Sequence, residues 1–218
     1  MTEGAAPDAA LRDYIDWHAA YDVPGSRLHL RLLVVQDLIA EALDELPPGP
    51  IRMISMCAGQ GRDILTVTRR HRRGGDVAGR LVELEPSNAA AAAGLIEDAD
   101  LRGIEVLVGD AGTTDSYADA VPADLVLACG VFGNISDHDI ENTIKRLPTL
   151  CAPDAWFIWT RYPSGEGFER IPRWLEEAGL AMRSLVVVER EEFSVGSARL
   201  EGPAAPFDPG QHLFSFFR

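Results

Sequence analysis

Residues 51–63 read IRMISMCAGQGRD, and this stretch determines how the rest of the chain is interpreted. Six mostly apolar residues come first, Gly59 and Gly61 follow, and helical spacing begins within two further residues. A strand that passes through glycines into a helix lets backbone N–H groups approach a ligand and directs the positive helix end at an anion. The stretch therefore predicts a strand–loop–helix unit that either binds a ligand or only makes a tight structural turn.

Short apolar runs separated by helical stretches continue along the chain and indicate βα units around a parallel sheet. We expect strands at residues 51–56, 80–84, 105–108, 125–128, 156–160, 185–189 and 212–217. We expect helices at residues 63–73, 87–101, 116–120, 137–147 and 168–178, and a loop at 196–210. The predicted fold class is α/β, a doubly wound, mostly parallel seven-stranded sheet that ends in a C-terminal antiparallel hairpin.

The first 50 residues are predicted to form an N-terminal helical cap or lid, and residues 51–218 a Rossmann-like domain. Pro24-Gly25 separates two helical stretches, and Ser26 is placed to cap the second one. Three prolines within residues 47–50 end that helix, because proline cannot continue its hydrogen bonds.

Charge and composition exclude several classes of function. The 218 residues contain 20 Lys and Arg against 34 Asp and Glu, a net charge of −14, which argues against binding nucleic acid or an anionic membrane. No apolar run is long enough to span a bilayer, and the N-terminus lacks the features of a signal peptide. The three cysteines are far apart, so we expect reduced thiols, no metal site and a cytoplasmic location.

Candidate ligand-binding residues follow the next three predicted strands, at the sheet edge where open α/β folds bind ligands. Glu83 ends the second strand, where a carboxylate can accept hydrogen bonds from a ribose diol, and Glu85 competes with it for this role. Asp110 follows the third strand and could accept from an exocyclic amine such as that of adenine. Small residues in the stretch 129–134, CGVFGN, leave room for a ligand after the fourth strand.

These motifs resemble those of the class I S-adenosylmethionine-dependent methyltransferases, over residues 51–218. The glycine loop of that family has the pattern acid-x-Gly-x-Gly-x-Gly, and here Ser55 stands in place of the acid and Cys57 in place of the first glycine. The sequences CAGQGRD and GVFGN look like those of a bacterial subgroup. The resemblance implies S-adenosyl-L-methionine as cofactor and a small-molecule acceptor.

The resemblance also implies roles for the strand-end residues. The glycine loop would hold the methionine part, Glu83 the ribose, and Asp110 with Ala111 the adenine. Asp63 either supplies the negative charge that Ser55 lacks or is simply an acid in a first helical turn. The expected cofactor-binding residues are Cys57, Ala58, Gly59, Gln60, Gly61, Asp63, Glu83, Leu84, Asp110, Ala111, Cys129, Gly130 and Val131.

Candidates for catalysis and substrate binding lie near the same edge. His138 is either a general base or an exposed histidine at a helix start. Asn134 and Arg161 could bind the acceptor, or could form a turn and a surface ion pair. Trp17 and Tyr21 belong to an aromatic stripe that either contacts substrate under a lid or packs in the core.

Two other functions compete with methyl transfer. A protein that binds the cofactor without catalysis fits the loss of the acid at Ser55 and the lack of a clear base. A nicotinamide-dependent dehydrogenase fits less well, because Ile64 occupies the position of its third glycine. The arginine-rich residues 69–73 are expected to be a solvated helix end rather than a phosphate-binding patch.

Overall fold

In the computed structural model, which describes residues 20–217, the chain forms a seven-stranded sheet with helices on both faces. The strands are β1 Ile51–Met56, β2 Val77–Glu83, β3 Ile104–Val108, β4 Ala123–Ala128, β5 Cys151–Arg161, β6 Leu180–Val188 and β7 Phe193–Leu200. The α-helices are α1 Arg27–Glu45, α2 Ile64–Arg70, α3 Pro86–Asp98, α4 Asp137–Leu150 and α5 Glu166–Glu177. Single 3₁₀ turns lie at Ala20–Asp22, Gly74–Asp76, Thr114–Tyr117 and Glu189–Glu191.

The strand order is β3-β2-β1-β4-β5-β7-β6. The first five of these strands pair in parallel, and β7 runs antiparallel to both β5 and β6. The strand order reverses between β1 and β4, so their carboxyl ends form the topological switch point where such sheets bind ligands. The predicted fold class is confirmed.

Successive residues of each strand bury their side chains on opposite faces, which divides the core in two. Met53 of β1 packs in one cluster with α1, α2 and α3, whereas Ile54 packs in the other with α4 and α5. Helix α1 buries Val35 and Ile39 among the strands of its cluster. The boundary at residue 50 between a cap and a main domain stays a prediction.

The prediction of a last strand at residues 212–217 is wrong. His212 and Phe216 form only isolated bridges, to Thr113 and Ile135, while Leu213 and Phe214 between them are buried in the core. The apolar alternation of this tail reflects burial beneath loops rather than pairing in the sheet. The predicted hairpin exists, but β6 and β7 form it.

Strand β7 covers residues that the sequence had suggested were loop. Gly196 weakened the strand pattern, but it lies opposite Trp159 of β5, where a Cβ would overlap the indole ring. The glycine is therefore the residue that lets a central strand pass a large aromatic side chain.

Local signals at helix ends are confirmed. Ser26 caps α1 by accepting from the N–H of His29 at 3.1 Å, and Ser136 caps α4 by accepting from Asp139 at 3.0 Å. Residues 1–19, including the first predicted helix and Trp17, lie outside the described residues. Among the helices of residues 20–217, none has both the length and the apolar character to cross a bilayer.

The arginine-rich residues 69–73 were expected to be a solvated helix end, and Arg73 differs from that prediction. Helix α2 ends at Arg70, and the chain turns so that the Arg73 side chain is buried against the C-terminal end of α1. Its guanidinium donates to four main-chain carbonyls, at 2.6–2.9 Å. The acceptors are Leu43, Leu46, Pro47 and Gly49. Arg73 is therefore a buried link between elements, while Arg69 and Arg70 are exposed as expected.

Candidate functional site

Glu83, the last residue of β2, lies at the centre of the strand-end residues. Its carboxylate is buried, with 5% of the residue exposed, and accepts from the main-chain N–H of Gly59 at 2.7 Å and of Glu85 at 2.9 Å. Each carboxylate oxygen keeps a further lone pair for a ligand donor. The carboxylate of Glu85 instead accepts from Ser87 at the start of α3. Of the two competing acids, Glu83 is therefore the one beside the glycine loop.

The glycine loop contains three residues in the left-handed region: Cys57 with φ 51°, Gly59 with φ 56° and Gly61 with φ 67°. A non-glycine residue rarely adopts this conformation, so Cys57 keeps the backbone of the glycine that it replaces. Gly61 donates to the carbonyl of Ala58 at 2.9 Å, and a Cβ on Gly61 would be 2.8 Å from the Leu65 side chain. The loop is thus a tight turn whose N–H groups lie near Glu83. Within the loop, the side-chain oxygen of Gln60 accepts a hydrogen bond from Nε of Arg62 at 2.8 Å.

Two exposed apolar side chains flank the acids of β2 and β3. Leu84 is 70% exposed and Val108 is 55% exposed, each next to a strand end. Asp110 accepts from the N–H of Gly112 at 2.7 Å, and Ala111 is buried. Burial, followed by the charges of Glu83 and Asp110, raises the pKa of the Cys57 thiol. Because β1, β2 and β3 pair in parallel, these residues follow neighbouring strand ends at one edge of the sheet.

The loop after β4 completes this edge. The N–H of Gly130 donates to Oγ1 of Thr160 at 2.7 Å, and Val131 is fully buried. Asn134 closes the loop, since its side-chain amide donates to the Gly130 carbonyl at 2.7 Å and its N–H to that of Val131 at 2.9 Å. Asn134 thus forms the turn, one of its two predicted roles, and its role in binding the acceptor stays a prediction.

A polar cluster lies between the ends of β1 and β4. Asp63 caps α2 by accepting from the N–H of Ile64 at 2.8 Å, and burial raises the pKa of its carboxyl group. Burial, followed by smaller contributions that include the charge of Asp63, raises the pKa of Tyr21 and of Cys129. Arg31 of α1 donates to the Tyr21 hydroxyl at 2.9 Å. Asp63 and Tyr21 were predicted from the sequence, and Arg31 was missed.

Arg62 connects the N-terminal turn to the glycine loop. Its two terminal nitrogens bind the carboxylate of Asp22 at 2.5 and 3.2 Å, and its guanidinium carbon lies 5.9 Å from the centroid of the Tyr21 ring. Arg62 was also not among the residues predicted from the sequence. Its position directly after Gly61 indicates nearness to the loop but not that Asp22 is its partner.

The remaining predicted residues lie on the β4–β5 side. His138 is on the first turn of α4, its side chain is 87% exposed, and Nδ1 lies 3.5 Å from Asp139. Arg161 is nearly buried and donates to the carbonyl of Phe132 at 2.6 Å and to Asp137 at 2.8 Å. Their roles in catalysis and substrate binding stay predictions. Within residues 20–217, His, Cys, Asp and Glu side chains do not gather in threes that could hold a metal ion.

Solved structures share this fold. The magnesium protoporphyrin IX methyltransferase ChlM from Synechocystis PCC 6803, with bound SAM, matches with a TM-score of 0.65 and 14% identity, over 91% of this chain and 99% of that one. Aeropyrum pernix fibrillarin with natively bound S-adenosyl-L-methionine matches with a TM-score of 0.57 and 18% identity, over 74% of each chain. The CurJ carbon methyltransferase matches with a TM-score of 0.62 and 15% identity, over 84% of this chain but only 58% of that one.

Comparison of sequences gives the family. No curated protein matches the chain. The family model Methyltransf_20, described as "Putative methyltransferase", matches residues 8–189, well over half of the sequence. The protein therefore belongs to this family of methyltransferases.

Proposed function

We propose that this protein binds S-adenosyl-L-methionine and transfers its methyl group to a small organic acceptor. The observation that carries the proposal is the Glu83 carboxylate, held against the glycine loop by the N–H of Gly59 and next to the exposed side chain of Leu84. A nucleoside needs an acceptor for its ribose hydroxyls and an apolar surface for its base, and this edge offers both.

The residues present fit each part of this cofactor. Glu83 would accept from the ribose hydroxyls, while Leu84 and Val108 would contact the adenine. Asp110 and Ala111 lie where the adenine amine would be recognised. The glycine loop and residues 129–131 would surround the methionine part.

Asp63 is the proposed partner of the cofactor's ammonium group. The acid that the family pattern has in β1 is absent, because Ser55 stands there and is 1% exposed. Asp63 follows the glycine loop and caps α2, and burial raises the pKa of its carboxyl group. Burial disfavours the charged form of a carboxylate and a nearby positive charge favours it, so binding of an ammonium group would stabilise the charged form of Asp63.

The bound cofactor would supply an activated methyl group on a sulfonium. The chain's own residues then need to orient the acceptor and exclude water. Tyr21 and its turn are tied through Arg62 to the glycine loop and would cover the site. His138 is the proposed base for an acceptor that must lose a proton, and its exposure leaves it free to exchange that proton with solvent.

Isothermal calorimetry with S-adenosyl-L-methionine, its demethylated product and NAD tests the cofactor. We expect binding of the first two and not of NAD, and lack of binding to either adenosyl compound would contradict the proposal. Turnover is then followed as release of the demethylated product across a panel of small acceptors. Binding without turnover would favour the second candidate, a non-catalytic cofactor-binding protein, which the absence of an acid at Ser55 supports.

A further inference from the structure

A cleft with a volume of about 400 Å³ lies beside the loop that follows β4. The N-terminal end of α4, the residues after β5 and the C-terminal tail form its walls. The side chains that matter here are Ile135, Asp137, Arg161, Tyr162 and Phe217. A volume of this size is within the range of small-molecule sites.

Two aromatic side chains of this cleft are exposed although the backbone around them is fixed. Tyr162 is 45% exposed and Phe217 is 68% exposed. Phe217 is held by its N–H, which donates to the carbonyl of Asn134 at 3.0 Å. Tyr162 lies against Gly133, where an added Cβ would be 3.6 Å from the ring. Aromatic rings that folding leaves uncovered in the lining of one cleft are suited to contact a flat apolar ligand.

The groups of the cleft that could attract a cationic ligand are already occupied by arginines, of which Arg27 also lies 3.8 Å from the carboxylate of Glu192. A free aromatic face attracts cations, but the guanidinium of Arg27 already lies over the Tyr162 ring, 5.3 Å from its centroid. Arg161 is the second cation, and its Nε is buried without a hydrogen-bond partner. Its terminal nitrogens are bound to Phe132 and Asp137, so Arg161 shapes the cleft rather than being free to clamp a carboxylate. Asp137 is thereby neutralised and offers little to a ligand cation.

We infer that this cleft binds the acceptor and that the acceptor is a planar aromatic compound without positive charge. The inference rests on the proposed function, because the loop at residues 129–134 connects the proposed cofactor site to the cleft. It assigns Tyr162 and Phe217 as the residues that contact the acceptor ring. It assigns Arg27 as the residue that selects against cations.

Three probes of similar size separate ring character from charge. They are para-hydroxybenzoate, benzylamine, which is cationic at neutral pH, and cyclohexanecarboxylate, which is anionic but not aromatic. Binding is measured by ligand-observed NMR on protein saturated with the demethylated cofactor. We expect para-hydroxybenzoate to bind at least about fivefold more tightly than the other two. Equal or tighter binding of benzylamine or cyclohexanecarboxylate would overturn the inference.

A variant of the cleft and a control variant test whether para-hydroxybenzoate binds at Phe217. Phe217→Ala should weaken para-hydroxybenzoate about fivefold and leave the affinity for the demethylated cofactor unchanged. Leu185→Ala is the matched control, since Leu185 is 40% exposed on β6 and does not line the cleft. Unchanged probe binding in Phe217→Ala, with cofactor binding intact, would refute the cleft but not the proposed function. Loss of cofactor binding in the parent protein would instead refute the proposed function.

Arg27 is tested by its neutral variant. Arg27→Gln removes the cation over Tyr162, so benzylamine should gain at least about threefold relative to para-hydroxybenzoate. Arg102→Gln makes the same change of charge at a side chain that is 87% exposed, paired with Asp100 and outside the cleft. The role of Arg27 would be contradicted by an unchanged ratio of the two affinities.

Discussion

The main-chain N–H of Gly59 donates a 2.7 Å hydrogen bond to Oε2 of Glu83. This bond joins the loop after β1 to the end of β2, so one carboxylate both fixes the glycine loop and faces the proposed ribose position. Its other oxygen accepts from Glu85, which also orders the start of α3. The site and the turn that supports it therefore depend on the same side chain.

Glu83→Gln is expected to weaken cofactor binding by about 1.5–3 kcal/mol, the range for a hydrogen bond that involves a charged group. Both carboxylate oxygens of Glu83 accept a hydrogen bond from a main-chain N–H. In the glutamine variant, the side-chain NH₂ therefore faces one of these N–H groups and cannot accept from it. Calorimetric titration with the demethylated cofactor measures the effect. Glu85→Gln is the control, because that carboxylate is directed at Ser87, and it should bind as the parent does. Equal losses in both variants would show that Glu83 has no special role.

Asp63→Asn is expected to stabilise the ligand-free protein and to weaken cofactor binding. Burial raises the pKa of this carboxyl group, so the folded state binds its proton more readily than the unfolded state. The stability contributed by Asp63 is therefore lost as the pH rises through the raised pKa, and at neutral pH its buried charge is unfavourable. Asparagine keeps the cap on Ile64 without that charge. The melting temperature should rise by roughly 2–4 °C for each 1 kcal/mol gained.

The same carboxylate predicts a pH dependence of binding. Cofactor affinity of the parent protein should fall as the pH drops through the raised pKa of Asp63, because the protonated acid no longer attracts an ammonium group. The Asp63→Asn variant should lose this part of the dependence. Asp98→Asn, at an exposed position of α3, should keep both the parent's profile and its melting temperature. A parent-like profile in Asp63→Asn would assign the ammonium contact to another group.

Asp22→Asn is expected to speed release of the demethylated cofactor about two- to fivefold. The ion pair with Arg62 holds the turn that carries Tyr21 against the glycine loop, and Asp22 is largely exposed. Exposed ion pairs are screened by salt, so release from the parent should accelerate with ionic strength while release from the variant should not. Stopped-flow measurements give both rates. Asp100→Asn, which breaks the exposed pair with Arg102, should leave the rate and its salt dependence unchanged.

Arg73→Met is expected to lower the free energy of unfolding by about 3–5 kcal/mol, because the carbonyls of the buried residues Leu43 and Leu46 lose their donor at a cost of about 1–3 kcal/mol each. Four main-chain carbonyls and Asp76 lose their donor at once. Urea denaturation measures the change, and Arg69→Met at an exposed position should show none. Unfolding midpoints that coincide for the two variants would mean that water replaces the guanidinium without loss.

The sequence predicted those parts of the fold that depend on local patterns. Strand β1 has the predicted bounds, and Ser26 and Ser136 cap the helices that they were expected to cap. Strand β7 was missed because its glycine is explained only by Trp159, which is 37 residues earlier and on the neighbouring strand. Pairing between distant segments is not contained in the pattern of either segment alone.

The candidate site likewise has one part that the sequence predicted and one part that it did not. Glycines and acids at strand ends indicated the backbone turn and the position of Glu83, because their spacing follows from one βα unit. Arg31, Arg62 and Arg73 could not be assigned, since an arginine side chain reaches partners on many elements and its sequence position does not select among them. The structure supplies those partners as Tyr21, Asp22 and the end of α1.

The tail after β7 joins the loops that follow β3 and β4, two strands that are not neighbours in the sheet. Leu213 donates to the carbonyl of Gly112 and Phe217 to that of Asn134, so the tail fastens the β3 loop and the β4 loop to each other. A purification tag fused at the C-terminus would follow Phe217 closely and lie next to the proposed acceptor cleft. Crystallisation and screening work on this protein should therefore carry such fusions at the opposite terminus.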